Sequence, residues 1–178
     1  MSETTKTVIA IPGSTRTHST HLNLIRRIAE LAAGKFHLIV YRHISELPHF
    51  NPDLDNDTPP ENVVDFRKQL KESDGILICT PEYAMGVPGT LKNALDWTVS
   101  SADFYRKPTA LITASSQGYK GHAALMETLN IIGSNITNDT QLIIPFVKTV
   151  VAQDGTIADG TIEAKVNRLI TSFQKLMI

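Results

Sequence analysis

Cysteine is nearly absent from this chain. Cys79 is the only one among 178 residues, which excludes an internal disulfide, and its place in the apolar run Ile76-Leu77-Ile78-Cys79 marks it as a small buried hydrophobe rather than a nucleophile. Neither sign of charge dominates. With 17 Lys and Arg against 18 Asp and Glu, a formal net charge of -1, the chain has no basic excess suited to nucleic acid or to an anionic membrane. Long apolar runs are missing too, since nothing approaches the ~18 residues of a membrane span. The opening MSETTKTVIAI lacks an apolar stretch behind basic residues, so the expected location is cytoplasmic. The expected partners are small molecules or further copies of the chain.

What is present is a regular alternation. At 42% hydrophobic residues, the sequence is read as one domain over 1–178 with a core that needs no staples. Val8 to Ile11 has the short, uninterrupted apolar character of a strand buried in a parallel sheet. Leu22, Ile25, Ala29 and Ala32 then recur at helical spacing. The same unit follows with Phe36 to Tyr41 as strand and Val63, Phe66 and Leu70 as a helix face. Gly75 to Thr80 is the third strand, followed by a helix carrying Leu91, Ala94, Leu95 and Thr98. Thr109 to Ala114 is the fourth, followed by Leu125, Leu129 and Ile132 on a helix. A fifth strand is predicted within Leu142 to Val151. The last helix is marked by Ile162, Val166, Leu169, Phe173 and Leu176, with Thr161 as its cap. Right-handed crossovers between such strands cover both faces of a mostly parallel sheet. The expected fold is α/β, with five strands in the order 2-1-3-4-5. Pro48 to Pro60 reads as a long surface loop.

In such a sheet the crevice outside the carboxyl ends of the strands receives ligands, and three loops fall there. The first, Pro12 to His21, leads directly into a helix and carries Ser14, Arg16, Ser19 and Thr20. Amides at a helix start favour an anion, and a guanidinium adds forked donors shaped for phosphate oxygens. With one glycine, this loop is neither G-x-G-x-x-G nor G-x-x-x-x-G-K-[ST]. Without a cysteine, it is no phosphatase loop. Non-covalent capture of a terminal monophosphate remains, beside the plainer possibility that Ser14, Ser19 and Thr20 only cap the helix and Arg16 is solvated. His18 and His21 lie three apart, but a metal needs a third ligand that the segment does not offer.

The second loop, Pro81 to Trp97, is PEYAMGVPGTLKNALDW. Pro81 and Pro88 fix torsions, and Gly86 and Gly89 permit positive φ or close approach. It is either one wall of a site or a rigid strand-to-helix connection. Lys92, Asn93 and Asp96 are expected to anchor this loop to its helix, and Trp97 to serve the core or a subunit contact. The third loop is Ser115-Ser116-Gln117-Gly118-Tyr119-Lys120-Gly121. A phosphate cup, a shaped wall and a polar glycine loop on one edge suit a flat ring with a phosphate tail.

The motifs G-S-x-R-x-x-S at Gly13 to Ser19 and P-E-Y-x-x-x-x-P-G-x-L-K-N-A-x-D-W at Pro81 to Trp97 resemble the NAD(P)H-dependent FMN reductase family. This flavodoxin-like group includes quinone, azo-dye and chromate reductases. The resemblance implies a flavodoxin-like three-layer sandwich and non-covalently bound FMN, with NADPH or NADH as co-substrate and a quinone, azo compound, flavin or similar acceptor. It implies that Ser14, Arg16, Ser19, Thr20 and His21 serve the phosphate end, that Pro81, Glu82, Tyr83 and Ala84 meet the ring edge, and that Ser115, Ser116, Gln117 and Gly118 approach the pyrimidine side. It also implies a homodimer or homotetramer. No metal is implied, and no side chain is nominated as catalytic, because the flavin brings the redox chemistry.

The chain departs from the family in places. His21 stands where asparagine is frequent, and Ala84 and Gly86 where asparagine and serine are frequent. Side-chain contacts at those two loop positions are therefore not carried over. Backbone N–H groups from Glu82 to Ala84 are the candidates for stabilising charge on a reduced ring. Glu82 itself reads as a partner for a helix start. Lys107 and Lys120 are the cations weighed against a nicotinamide 2′-phosphate, with plain solvation as the alternative. The rival functions are a flavodoxin-type electron carrier, disfavoured by the low net charge, and a scaffold that has lost FMN, disfavoured by Arg16 and the serines.

Overall fold

The structure, a computed structural model, describes residues 5–16 and 19–178. Its organising feature is a five-stranded parallel sheet ordered β2-β1-β3-β4-β5. The strands are β1 (Lys6–Pro12), β2 (Phe36–Val40), β3 (Gly75–Thr80), β4 (Thr109–Ala114) and β5 (Gln141–Ile144). The helices are α1 (Thr20–Leu31), α2 (Glu61–Glu72), α3 (Gly89–Asp96), α4 (Tyr119–Ile131), the short α5 (Val147–Val150) and α6 (Gly160–Leu176).

The uninterrupted apolar strands serve two cores at once. Successive side chains leave a strand on opposite faces. Val8, Ala10, Leu77, Cys79, Ala110 and Ile112 therefore join one cluster with Ile25 and Ile28 of α1 and Val166 and Phe173 of α6. Ile9, Ile11, Ile76, Ile78 and Leu111 join the other with Phe66 of α2, Leu91 of α3 and Leu125 of α4. This is the three-layer sandwich. Every residue of β3 and of β4 is buried, as central parallel strands require. Register is carried across the sheet by Pro12 opposite Cys79, Thr80 opposite Thr113, and Ala114 opposite Ile144. The strands thus end together along one carboxyl edge.

Several local expectations change. The fifth strand starts one residue earlier than predicted and is only four residues long. Pro145 ends it, and the apolar residues beyond it turn into α5. The cap of α6 is Asp159, whose carboxylate accepts from the Thr161 and Ile162 amides at 2.8 and 3.3 Å, so Thr161 lies inside the first turn. Thr98 lies past the end of α3, although it is buried. Asn93 anchors a different loop from the one expected, and Trp97 joins it there. The Asn93 side chain accepts from the Phe50 amide at 2.7 Å and donates to the Pro48 carbonyl at 3.0 Å, and Trp97 Nε1 donates to the same carbonyl at 2.8 Å. The start of the Pro48–Pro60 segment is thereby pinned to α3. Trp97 is fully buried, which places it in the core, while Lys92 and Asp96 pair within α3 at 2.6 Å.

Candidate functional site

The carboxyl edge of the sheet opens into a cleft of about 420 Å³. It spans the point between β1 and β3 where the winding of the sheet reverses, the position at which open α/β sheets bind ligands. Ser14, Arg16, Ser19, Thr20 and His21 line one end, Pro81, Glu82 and Tyr83 another wall, and Ser115 and Ser116 a third. Ten of the predicted positions thus meet in one cavity. Ala84, Gln117 and Gly118 do not line it.

The first loop is held close to β3. The Gly13 amide donates to the Cys79 carbonyl at 2.8 Å, and a Cβ at Gly13 would lie 2.1 Å from Thr80 Oγ1 and 2.9 Å from Thr80 Cα. Only glycine fits there. Ser14 and Ser19 are buried at the cleft. Ser14 Oγ accepts from the Arg16 amide at 3.4 Å, and Ser19 Oγ accepts from the Leu22 amide at 3.1 Å, capping α1. Capping uses a lone pair and leaves each hydroxyl hydrogen available to an anion. Ser19 therefore caps α1 while keeping a hydroxyl hydrogen to donate, so the two readings of this residue do not compete. Arg16 is exposed and has no carboxylate within 4 Å among the described residues.

His21 is largely committed elsewhere. Its Nε2 donates to the Ala114 carbonyl at 2.6 Å, tying α1 to the end of β4. Burial lowers its pKa, the carbonyl bond opposes that, and nearby Arg16 lowers it further. His18 lies outside the described residues. No group of three His, Cys, Asp or Glu able to hold a metal exists among those described. Burial pushes the Cys79 thiol up, far from thiolate character.

The second loop is tighter than its glycines suggested. Tyr83 and Gly86 exchange both backbone hydrogen bonds, at 3.1 and 2.9 Å, around Ala84 at φ 49° and Met85 at φ 60°. These are the positive torsions of a type I′ turn, carried by two side-chained residues rather than by Gly86 or Gly89. The turn uses the Tyr83 amide, which removes it from the expected set of ring donors. The amides of Glu82 and Ala84 have no partner among the described residues. Glu82 acts as a helix partner, accepting from the Gly121 amide in the first turn of α4 at 2.6 Å.

In the third loop Ser115 Oγ accepts from the Gln117 amide at 3.2 Å, and Gly118 sits at φ 92° before α4. Neither Gln117 nor Gly118 lines the cavity.

A fourth wall escaped the sequence reading. Ala114, Phe146, Val147, Lys148 and Thr149 also line the cleft. The Phe146 and Val147 amides donate to the Ser116 and Ser115 carbonyls at 3.2 and 3.1 Å, lacing this segment onto the third loop. Phe146 is 66% exposed at φ 51°, an aromatic ring held out at the cleft mouth. Pro145 was the available signal, since proline rarely continues a strand.

A profile described as NADPH-dependent FMN reductase matches residues 7–149, a span that contains all four walls. The chain belongs to the NADPH-dependent FMN reductase family. Among relatives of this family member, a quinone reductase of Pseudomonas putida is 36% identical over 122 residues, 66% of this chain and 64% of that protein. An NADPH:quinone oxidoreductase of Arabidopsis thaliana is 38% identical over 117 residues, 64% of this chain and 60% of that one. Each of these matches spans less than two thirds of the relative's own length. The solved structure of the flavoenzyme NAD(P)H:(acceptor) oxidoreductase FerB from Paracoccus denitrificans superposes with a TM-score of 0.85 at 29% identity, covering 97% of both chains.

The cleft suits the flavin that the family description names. Arg16, with no carboxylate partner among the described residues, two buried hydroxyls with hydrogens to give, and the start of α1 form a donor set suited to a phosphate dianion. The floor beyond it is made of Pro81 and Ala114, small and apolar enough to lie against a ring.

Proposed function

We propose that all 178 residues work as one FMN-binding domain that passes hydride from NADPH or NADH to a quinone or a similar planar acceptor. The observation that carries this reading is the single cleft that joins the cationic Ser14, Arg16 and Ser19 cup to the Pro81–Tyr83 and Ser115–Ser116 walls. Bound FMN supplies the hydride-accepting and hydride-donating chemistry. The protein supplies binding and orientation. Arg16 neutralises phosphate charge, while the hydroxyls of Ser14 and Ser19 donate to its oxygens. The unpartnered Glu82 and Ala84 amides are the fixed donors left on the second loop for negative charge on the ring. Pro81 and Tyr83 shape the ring wall, and Gln117 and Gly118 support it from behind.

An open cleft flanked by Tyr83 and Phe146 leaves one side of the site accessible to a planar acceptor, which supports a quinone-like substrate class. Two further elements belong to this reading. No helix among the described residues is long and apolar enough to cross a membrane, which supports work in the cytoplasm. Exposed apolar residues beside the cleft mouth support pairing of two copies.

The test is an absorption spectrum of the purified protein with FMN, followed by anaerobic addition of each nicotinamide. Flavin bleaching by NADPH or NADH is expected, and a protein that binds FMN without being bleached is instead a carrier. Arg16→Ala is expected to weaken FMN binding about ten- to a hundredfold, the size of a hydrogen bond to a charged group. Unchanged affinity in a flavin-fluorescence titration would remove Arg16 from the phosphate site.

A further inference from the structure

The cleft does not end at the phosphate cup. A groove of about 700 Å³ opens from it, sharing Arg16, Thr20 and Lys148 with the cleft and continuing along Asn23 and Arg26 of α1 to Gln153. Its wall holds three cations and no carboxylate. Among the described residues, none of the three has a carboxylate within 4 Å, whereas Arg27 pairs with Glu30 and Glu163, Arg67 with Asp55 and Arg168 with Asp139. The groove thus gathers three cations on one wall with no acidic residue lining it.

Its residues are also held in place. Arg26 donates to Asn23 Oδ1 at 3.0 Å, and Asn23 Nδ2 donates to the Gln153 carbonyl at 2.6 Å. This bridge joins α1 to the segment after α5 and sets the guanidinium on the groove wall. A flavin monophosphate carries at most two negative charges, as a phosphate monoester does near neutral pH. Arg16 and the start of α1 already answer it. Arg26 and Lys148 are then surplus to FMN.

The other cations weighed for a second phosphate lie elsewhere. Lys107 precedes β4 at the opposite edge of the sheet, and its Nζ donates to the Ser73 and Lys71 carbonyls at 2.6 and 3.2 Å. Lys120 lines neither the cleft nor the groove.

We propose that the Arg26–Lys148 groove is a second phosphate subsite, which takes a further phosphate of a dinucleotide whose redox ring lies in the adjoining cleft. This rests on the FMN reading above. Two dinucleotides offer that chemistry: NADPH, through its 2′-phosphate or pyrophosphate, and FAD, which extends the flavin phosphate by an adenylate. Arg16 tethers the first phosphate, and Arg26 with Lys148 receives the second.

Arg26 lines the groove and not the cleft, so Arg26→Ala and Arg26→Gln isolate the subsite from the cup. Calorimetric titration of the FMN-loaded protein with NADP+ and NAD+, and of the flavin-free protein with FAD and FMN, reads it directly. Circular dichroism checks that both variants are folded. The expected result is a fall of about tenfold in one of two ratios, the size of one charged contact. Loss of the NADP+ preference identifies the nicotinamide dinucleotide as occupant, and loss of the FAD preference identifies the flavin dinucleotide. If both ratios stay within twofold of the unmodified protein, or if that protein shows neither preference, the subsite does not exist. FMN binding to the unmodified protein, measured in the same series, reports separately on the reading beneath it.

Discussion

At the scale of single residues, three positions store free energy in ways that can be measured. Ala84 and Met85 hold left-handed torsions of 49° and 60°, which cost roughly 1–2 kcal/mol for a side-chained residue. The double hydrogen bond between Tyr83 and Gly86 and the contact with α4 keep them there. Ala84→Gly removes the Cβ clash at some cost in unfolded-state entropy, so a net gain of about 0.5–1 kcal/mol is expected. In a chain of this size that raises Tm by a few degrees. A lower Tm would mean that the turn is not strained. His21 stores energy through burial. Its pKa is lowered, so the native state favours the neutral ring while the unfolded chain titrates near 6.5. Below that pH the unfolded state binds more protons, and stability falls until the native ring also protonates. His122, whose pKa is lowered by burial too, contributes with the same sign. The part due to His21 is at most about 1.4 kcal/mol per pH unit. Urea unfolding between pH 7.5 and 5.5 should show a shallower pH slope for His21→Asn than for the unmodified chain. Identical slopes would refute the assignment.

At the scale of elements, the junctions matter more than the helices and strands. Gly121 lies inside α4, where alanine is ordinarily about 1 kcal/mol better than glycine. Here a Cβ would stand 2.9 Å from the Gly86 carbonyl oxygen and 3.0 Å from Glu82 Cγ. Gly121→Ala should therefore destabilise by about 1–3 kcal/mol and weaken FMN binding, because it pushes the 82–86 turn towards the cleft. Denaturant midpoints with and without FMN check both effects, and a stabilised variant would count against the packing described.

The same contrast explains what the sequence made legible. β3 and β4 were predicted to the residue because central parallel strands are apolar throughout and end sharply at polar loops. The meeting of Ser14, Arg16 and Ser19 at one end of the cleft was legible because they are local to one loop and one helix start. The fourth wall was not, because Phe146 to Thr149 reach the cleft only through hydrogen bonds to Ser115 and Ser116, some thirty residues away. Local spacing carries no trace of such a pairing. The torsions at Ala84 and Met85 were hidden for a related reason: nothing in their chemistry favours positive φ, and tertiary contacts impose it.

At the scale of the whole molecule, the distribution of exposed apolar surface is uneven. Tyr83 is 51% exposed, Met85 73% and Tyr119 61%. They lie close together, because the Glu82 bond to Gly121 draws the second loop against the first turn of α4. At the other end of α4, Ile131 is 86% exposed and Tyr105 59%, with Tyr105 packed against Gly133. Side chains of this size, gathered beside a cleft and along one helix, mark an association surface more often than a solvated one. A second copy of the chain is the proposed occupant, since its net charge of -1 sets no strong repulsion against pairing. Light scattering should then give about twice the 19.6 kDa of one chain. Met85→Asp places a charge where its partner would exclude water, and should return the mass to that of the monomer at micromolar concentration. Tyr83, which lines the cleft beside Met85, would become more exposed in that monomer. Faster quenching of bound-flavin fluorescence by iodide in Met85→Asp is therefore expected together with the change in mass. A dimer that survives Met85→Asp would move the interface away from the cleft mouth, and a monomeric unmodified protein would abolish it.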